Sequence, residues 1–190
     1  MQLQGDEYLR GEGAPAKGAS ALDFWRWAFA DLTQNALRGI FAEWLVATLL
    51  SRDRTCRDPW AECDLITEAG LRIEVEAAAY RQSWHDQDSR PSKIVFSGLH
   101  GRRLENGNYA DASTYNADRY VFCLLDNLQT AADPFDLGRW QFWTLDAATL
   151  GRVTPNSAQR RSISLSSLQR EARELSSTEL QEAAQWWSTR

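Results

Sequence analysis

Residues 64–84 read DLITEAGLRIEVEAAAYRQSW, the pattern of a β-hairpin whose second strand decides the fold. Successive side chains leave opposite faces of a strand, so residue types that alternate along the chain are separated onto two faces. One face carries the apolar residues Leu71, Ile73, Val75 and Ala77, and the other carries Arg72, Glu74 and Glu76. At about 3.3 Å per residue, the Cα atoms of Glu74 and Glu76 are about 6.5 Å apart. The second strand therefore presents two carboxylates side by side.

The turn of this hairpin brings in a third carboxylate. Residues 68–70 (Glu-Ala-Gly) fold the preceding strand back, which moves Asp64 towards the same end of the sheet. Like charges that converge in this way repel each other unless a cation lies between them. Mg²⁺ takes oxygen ligands from one or two carboxylates and fills its other positions with water and substrate phosphate. The hairpin thus predicts a Mg²⁺ site, for which Mn²⁺ is the expected substitute.

A helix before the hairpin offers a fourth carboxylate. Residues 21–50 have helical periodicity, and a break near residues 33–35 predicts two helices. In the second helix Glu43 lies beside the apolar face, because its neighbours three or four positions away include Ile40, Val46 and Ala47. A single glutamate in that position is ordinarily a boundary residue that reaches water. Next to a predicted metal site, we interpret Glu43 as a carboxylate directed at the sheet.

The rest of the chain predicts one α/β domain over residues 1–190, with a mixed sheet. Residues 1–20 are polar and Gly-rich and predict an extended arm, while residues 98–118 predict a long polar loop. The remaining elements are strands over residues 93–97, 119–126 and 141–145 and helices in residues 164–190, where two Ser-x-x-Glu/Gln patterns indicate capping boxes.

Composition narrows the classes of function. The formal charge of −5 argues against a free-standing, non-specific nucleic-acid binder. No apolar run approaches the roughly 18 residues of a membrane span, and no signal peptide opens the sequence. Three cysteines without metal-finger spacing are typical of a reduced compartment. We therefore expect a cytoplasmic protein without membrane association.

Three segments together resemble the core of the PD-(D/E)XK nuclease superfamily: RGIFAEWLVA (38–47), CDLITEAGLRIEVEA (63–77) and YRQSW (80–84). The resemblance covers residues 38–97 and implies the restriction-endonuclease-like α/β/α sandwich, a central mixed β-sheet flanked by helices. By this resemblance, Glu43 matches the acid of the first core helix, Asp64 the metal-binding Asp of the hairpin, and Glu74 the first acid of the E-x-K pair. Gln82 resembles a Gln that several of these families place after that strand. Asp64, Glu74 and Glu43 are then the implied ligands of Mg²⁺.

One position departs from the family pattern. Glu76 stands where the superfamily has the Lys that orients the attacking water. Some restriction enzymes of the superfamily use Glu there, so one interpretation makes Glu76 a base or an extra ligand. A second interpretation has Lys93, on the neighbouring strand, supply the ammonium group instead. A third is that the site has lost its activity.

The resemblance implies hydrolysis of phosphodiester bonds, with DNA as the expected substrate, in restriction, repair or defence. It leaves open a homodimer and a targeting partner protein. An inactive nuclease-fold module that binds nucleic acid or a partner protein is the alternative. A glycosidase is the least favoured class, because its two carboxyl groups lie about 5–9 Å apart. Glu74 and Glu76, two positions apart on one strand, are too close for that separation, so Asp64 would have to be one of the two carboxylates.

Overall fold

The computed structural model describes residues 3–51, 56–86, 88–101, 104–105, 108–109, 111, 114–128, 133–154 and 162–187. The helices in these ranges are α1 (Ala21–Phe29), α2 (Asn35–Leu49), α3 (Ala147–Val153), α4 (Leu165–Glu171) and α5 (Ser177–Ala184). The strands are β1 (Leu65–Ile66), β2 (Arg72–Ala79), β3 (Val95–Ser97), β4 (Leu104–Glu105), β5 (Asn108–Tyr109), β6 (Arg119–Leu125), β7 (Trp140–Asp146) and β8 (Ser162–Ser164). The predicted α/β class is confirmed.

The central sheet has the strand order β1-β2-β6-β7. The β2–β6 pair is parallel, and the β1–β2 and β6–β7 pairs are antiparallel, so the predicted mixed sheet is also confirmed. The predicted hairpin is the β1–β2 pair, with Leu65 opposite Ile73. Its turn places Gly70 at a φ of 79°, a left-handed conformation that glycine adopts without steric cost.

Side chains alternate between the two faces along each strand, so the sheet has two apolar faces. Each face packs in its own cluster of buried apolar side chains. Helices α2 and α5 cover the face that includes Ile73 and Val75 of β2, together with Val121 of β6. The second face is formed by Tyr120 and Phe122 of β6 and by residues of β7, and it packs against β3, β8, α3 and α4. The core is therefore two layers, one on either side of a sheet whose β6 strand is almost wholly buried.

The helix before the hairpin is divided where the sequence predicts it. Helix α1 ends at Phe29 and α2 begins at Asn35. Helix α2 buries Phe41, Leu45 and Leu49 against the sheet, whereas α1 has no buried residue. Helix α2 is thus the element that fixes the position of Glu43 relative to β2.

Three predicted segments form backbone pairings that the sequence did not specify. The strand predicted over residues 93–97 is β3, which pairs with β8 outside the central sheet. The predicted arm folds back on itself, because Tyr8 and Ser20 form an antiparallel bridge. The predicted loop over residues 98–118 contains the β4–β5 pair and a bridge between Gly101 and Thr114. All three differences come from backbone pairing, which no side-chain period records.

The predicted C-terminal helices are α4 and α5. Helix α5 begins with the capping box expected at Ser176 and Glu179, while α4 is capped by Ser164, two residues before the predicted cap. Of the helices in the described ranges, none has the length and apolar character needed to cross a lipid bilayer.

Candidate functional site

The candidate site begins at Asp64, the residue immediately before β1. Because β1 has only two residues, it covers the outer edge of β2 opposite Arg72 and Ile73 and then stops. The next N–H group on that edge belongs to Val75, and it donates a hydrogen bond to Asp64 Oδ2 at 2.8 Å. The Asp64 carboxylate thus takes the place of a backbone acceptor and is held against the open edge of β2.

Glu74 and Glu76 occupy the same strand, on the face opposite α2. Their neighbours Ile73 and Val75 pack under the helix, so alternation directs the two glutamates to the other side. Both side chains are partly buried. Within the described residues, Glu74 Oε2 is buried without a hydrogen-bond partner. A buried polar atom left unpaired costs free energy, so Glu74 is suited to a proton or a cation.

The carboxylates perturb one another. Burial raises the pKa of Asp64, and the charge of Glu43 raises it further, against the opposing effects of the Val75 N–H and of Arg57. The pKa of Glu74 is raised by burial, then by Asp64 and Glu43. Burial raises the pKa of Glu76 to about 8, with added contributions from Glu74, Asp64 and Glu43. These four acids therefore form one electrostatic group.

Glu43 joins this group from α2 and is held by an arginine. Arg57 donates from Nη2 to Glu43 Oε1 at 2.8 Å and from Nε to Glu43 Oε2. The Glu43 side chain is 14% exposed and the Arg57 side chain 43% exposed. Both Glu43 oxygens are therefore engaged by a single guanidinium group.

The four acids do not all line the same cleft. Glu43 and Asp64 line a cleft of about 650 Å³, whose other walls include Ile40, Trp44 and Thr67, whereas Glu74 and Glu76 are not among its lining residues. Glu43 approaches from the face that α2 covers, and the two strand glutamates leave the opposite face. Asp64, at the open edge of β2, shares the cleft with Glu43.

Gln82 has its amide occupied within the protein. Its Nε2 donates to Ala79 O at 2.9 Å and to Ser92 Oγ at 3.3 Å, and its Oε1 accepts from Arg38 Nη2 at 3.2 Å. Arg38 is itself only 3% exposed and also donates to Thr33 O. Gln82 therefore joins the start of α2 to the segment after β2, and its role at the site stays a prediction.

Lys93 lies just before β3 and is exposed. The sequence predicts Lys93 on a strand next to β2. In the structure β3 pairs with β8, so Lys93 is not on a neighbour of β2 in the central sheet. Among the described residues, no ion pair joins Lys93 to any of the four acids. Arg102 and Arg103, which belong to the segment predicted as a polar loop, lie outside the described residues.

The donor set suits a hard divalent cation, but the side chains are not gathered around one. In the described part of the chain, no group of three or more His, Cys, Asp or Glu residues could hold a metal ion as it stands. Glu43 is occupied by Arg57, and Asp64 accepts from Val75. Glu74 Oε2 is buried and has no hydrogen-bond partner among the described residues. Carboxylate oxygens at this edge are the ligand type that Mg²⁺ requires.

Sequence patterns did not identify Arg57 or Arg38. Arg57 lies in a polar loop without periodicity, and only the bend of that loop over α2 brings it to Glu43, 14 positions away. Arg38 stands on the buried side of α2, where a pattern of apolar residues gives no signal for a charge. One signal was available for Arg57, since the loop before the hairpin is rich in arginine and aspartate.

Comparison with known proteins does not assign this chain to a family. No protein-family model matches the chain, and no curated protein is significantly similar to it. The structure is therefore an α/β fold with a mixed central sheet, in which Asp64 is held at the open edge of β2 and Glu74 and Glu76 lie on the face of that strand opposite α2.

Proposed function

We propose that this protein is a metal-dependent endonuclease of the restriction-endonuclease-like fold, acting on DNA phosphodiester bonds in restriction, repair or defence. The observation that carries the proposal is the position of Asp64, whose carboxylate accepts the Val75 N–H at the edge of β2, next in the chain to Glu74, whose Oε2 is buried and has no partner among the described residues. Unpaired cysteines support a reduced, cytoplasmic setting. A homodimer or a targeting partner would supply the DNA contacts that an acidic chain lacks.

In this proposal Asp64, Glu74 and Glu43 would hold Mg²⁺, with Arg57 competing for Glu43. When bound, the cation would polarise the scissile phosphate and lower the pKa of a bound water. Glu76 accepts a proton from the attacking water or orients it. The apolar neighbours Tyr120 and Phe122, opposite Glu74 and Glu76 in the β2–β6 register, limit the access of bulk water to this side.

A second candidate is an inactive nuclease-fold module that binds nucleic acid or a partner protein. Two observations favour it: Glu76 replaces the Lys of the resembling family, and Glu43 is paired with Arg57 rather than open to a ligand. The two candidates differ in one measurable property, metal-dependent cleavage.

A cleavage assay tests the proposal directly. Plasmid DNA, linear duplex, single-stranded DNA and RNA are incubated with the protein and either Mg²⁺, Mn²⁺ or EDTA. We expect cleavage of DNA with either metal and none in EDTA. Asp64→Asn should abolish cleavage, while Asp6→Asn, at an exposed position outside the cleft, should leave it unchanged. Binding of DNA without cleavage in either metal would favour the inactive module.

Metal should also stabilise the folded protein. A cation that binds only the folded state stabilises it by mass action, about 2.7 kcal/mol at 100 times Kd. For a chain of this size we expect Mg²⁺ or Mn²⁺ to raise Tm by about 5–10 °C under that condition. Asp64→Asn should remove this increment, which differential scanning calorimetry measures, and Asp6→Asn should retain it. An equal Tm with and without metal in the unmodified protein would contradict a metal site at these residues.

A further inference from the structure

Arg57 is the cation of the cleft. Of the described residues that line it, Arg57 is the one with a basic side chain, whereas Glu43, Asp58, Asp64 and Glu68 are acidic. It forms a bidentate pair with Glu43, a side chain that is itself largely shielded from solvent. Arg57 therefore offsets part of the negative charge of a cleft that repels a phosphate group.

The two possible partners of Glu43 compete for its carboxylate. A bidentate guanidinium uses both carboxylate oxygens in a planar arrangement. A divalent cation would need at least one of the same oxygens, and it would bring a second positive charge next to the guanidinium group. Coulomb repulsion between the two cations is strongest where solvent is scarce, as it is around Glu43. Arg57 in its bidentate position should therefore weaken the binding of a metal by Glu43.

Arg57 can move without disturbing the core. It lies in the loop before the hairpin, outside any helix or strand, and its side chain is 43% exposed. Guanidinium groups bind phosphate in the same bidentate way as they bind carboxylate. When released from Glu43, the group stays at the cleft, close to the position where a metal-bound phosphate would lie.

We propose that Arg57 is a displaceable counter-ion that exchanges Glu43 for substrate phosphate when the divalent cation binds. This inference rests on the proposed function. It makes Arg57 a competitor of the metal in the absence of DNA and a phosphate-binding residue in its presence. Arg57 thus links metal binding to substrate binding.

The test uses Arg57→Ala, Arg57→Lys and the control Arg173→Ala. Arg173 pairs with Glu179 at 2.6 Å, away from the cleft. Affinity for Mn²⁺ alone is measured by isothermal titration calorimetry. If Arg57 occupies Glu43 about 90% of the time, its removal should tighten Mn²⁺ binding about 10-fold, because the binding-competent fraction rises accordingly. Affinity for a short DNA duplex, held with Ca²⁺ to provide an oxygen-liganded cation, should fall in the same variant.

Opposite changes in the two affinities support the proposal, since a purely structural role for Arg57 would weaken both. Arg57→Lys keeps the charge but loses the bidentate contact, so it should bind Mn²⁺ more tightly than the unmodified protein and retain more DNA affinity than Arg57→Ala. This second variant also keeps the test valid if Arg57→Ala does not fold, as judged by circular dichroism.

The outcomes separate this proposal from the proposed function. Unchanged or weaker Mn²⁺ binding in both variants, with binding intact in the unmodified protein, overturns the role of Arg57 and leaves the metal site standing. Unchanged DNA affinity in both variants also overturns it. No Mn²⁺ binding by the unmodified protein or by either variant overturns the metal-dependent function together with this inference.

Discussion

Replacing Glu76 with glutamine is expected to lower the rate of Mg²⁺-dependent DNA cleavage by about 10²–10⁴-fold, the range typical of a lost general base. Glutamine keeps the shape of the side chain but cannot accept a proton or give a metal a full negative charge. Because Glu76 follows Glu74 at a spacing of two, it faces the same side of β2 and lies within reach of the same water. DNA affinity, measured by fluorescence anisotropy, should be retained.

The opposite substitution distinguishes a working acidic site from a decayed one. Glu76→Lys restores the residue type of the resembling family and places an ammonium group beside the scissile phosphate. If the carboxylate works as base or ligand, this variant should lose cleavage as Glu76→Gln does. If the site has decayed from a Lys-type ancestor, only Glu76→Lys should gain cleavage.

Matched controls make this pair of variants interpretable. Glu182→Gln changes an exposed glutamate on α5 and should leave the cleavage rate unchanged. Circular dichroism and Tm show whether each variant is folded. Equal rates in Glu76→Gln, Glu76→Lys and the unmodified protein would show that Glu76 takes no part in cleavage. The assignment of this face of β2 as the active face would then be wrong.

The second large effect concerns stability in the absence of metal. With a chelator present, the free energy of unfolding should fall as the pH rises from about 4.5 to about 8. Burial and three neighbouring acids raise the pKa of Glu76 to about 8 from its ordinary value of 4.5, so the folded state holds a proton that the unfolded state has already released. Stability decreases with pH wherever the folded state binds more protons than the unfolded state.

This sign is the reverse of that for a carboxylate in a salt bridge. Below about pH 4.5 Glu76 is protonated in both states and costs nothing, and above about pH 8 the full cost of ionising it in the folded protein is present. Asp64 and Glu74 act in the same direction, since their pKa values are also raised. The metal-free protein should therefore be less stable at pH 8 than at pH 5, as far as these acids determine it.

Glu76→Gln isolates the contribution of one group. Each unit of difference between the folded and unfolded pKa corresponds to about 1.4 kcal/mol, so the variant should gain on the order of 2–4 kcal/mol over the unmodified protein at pH 8 and little at pH 4. Urea unfolding at both pH values, in EDTA, measures this difference. Glu182→Gln should show no comparable gain. A Glu76→Gln gain equal at pH 4 and pH 8 would contradict a raised pKa at Glu76.

The sequence alone determined the local elements of the site. A period of two over residues 71–77 was enough to predict the hairpin and the shared face of Glu74 and Glu76, because strand geometry assigns faces by parity. Helical spacing placed Glu43 at the margin of the apolar face of α2, and the structure brings its charge close enough to affect Glu74. The break between α1 and α2 and the strands β6 and β7 were predicted for the same reason, since local periodicity fixes them.

Tertiary structure decided which elements became neighbours. The sequence could not pair β3 with β8, since strand pairing over more than 60 positions depends on backbone hydrogen bonds that any residue can make. The ion pair between Glu43 and Arg57 could not be predicted either, because a loop without periodicity does not show where its side chains point. The same holds for Gln82, whose amide meets Arg38 only because the chain after β2 returns to the start of α2. Periodicity records the face on which a residue lies, whereas the partner it meets there depends on the path of the whole chain.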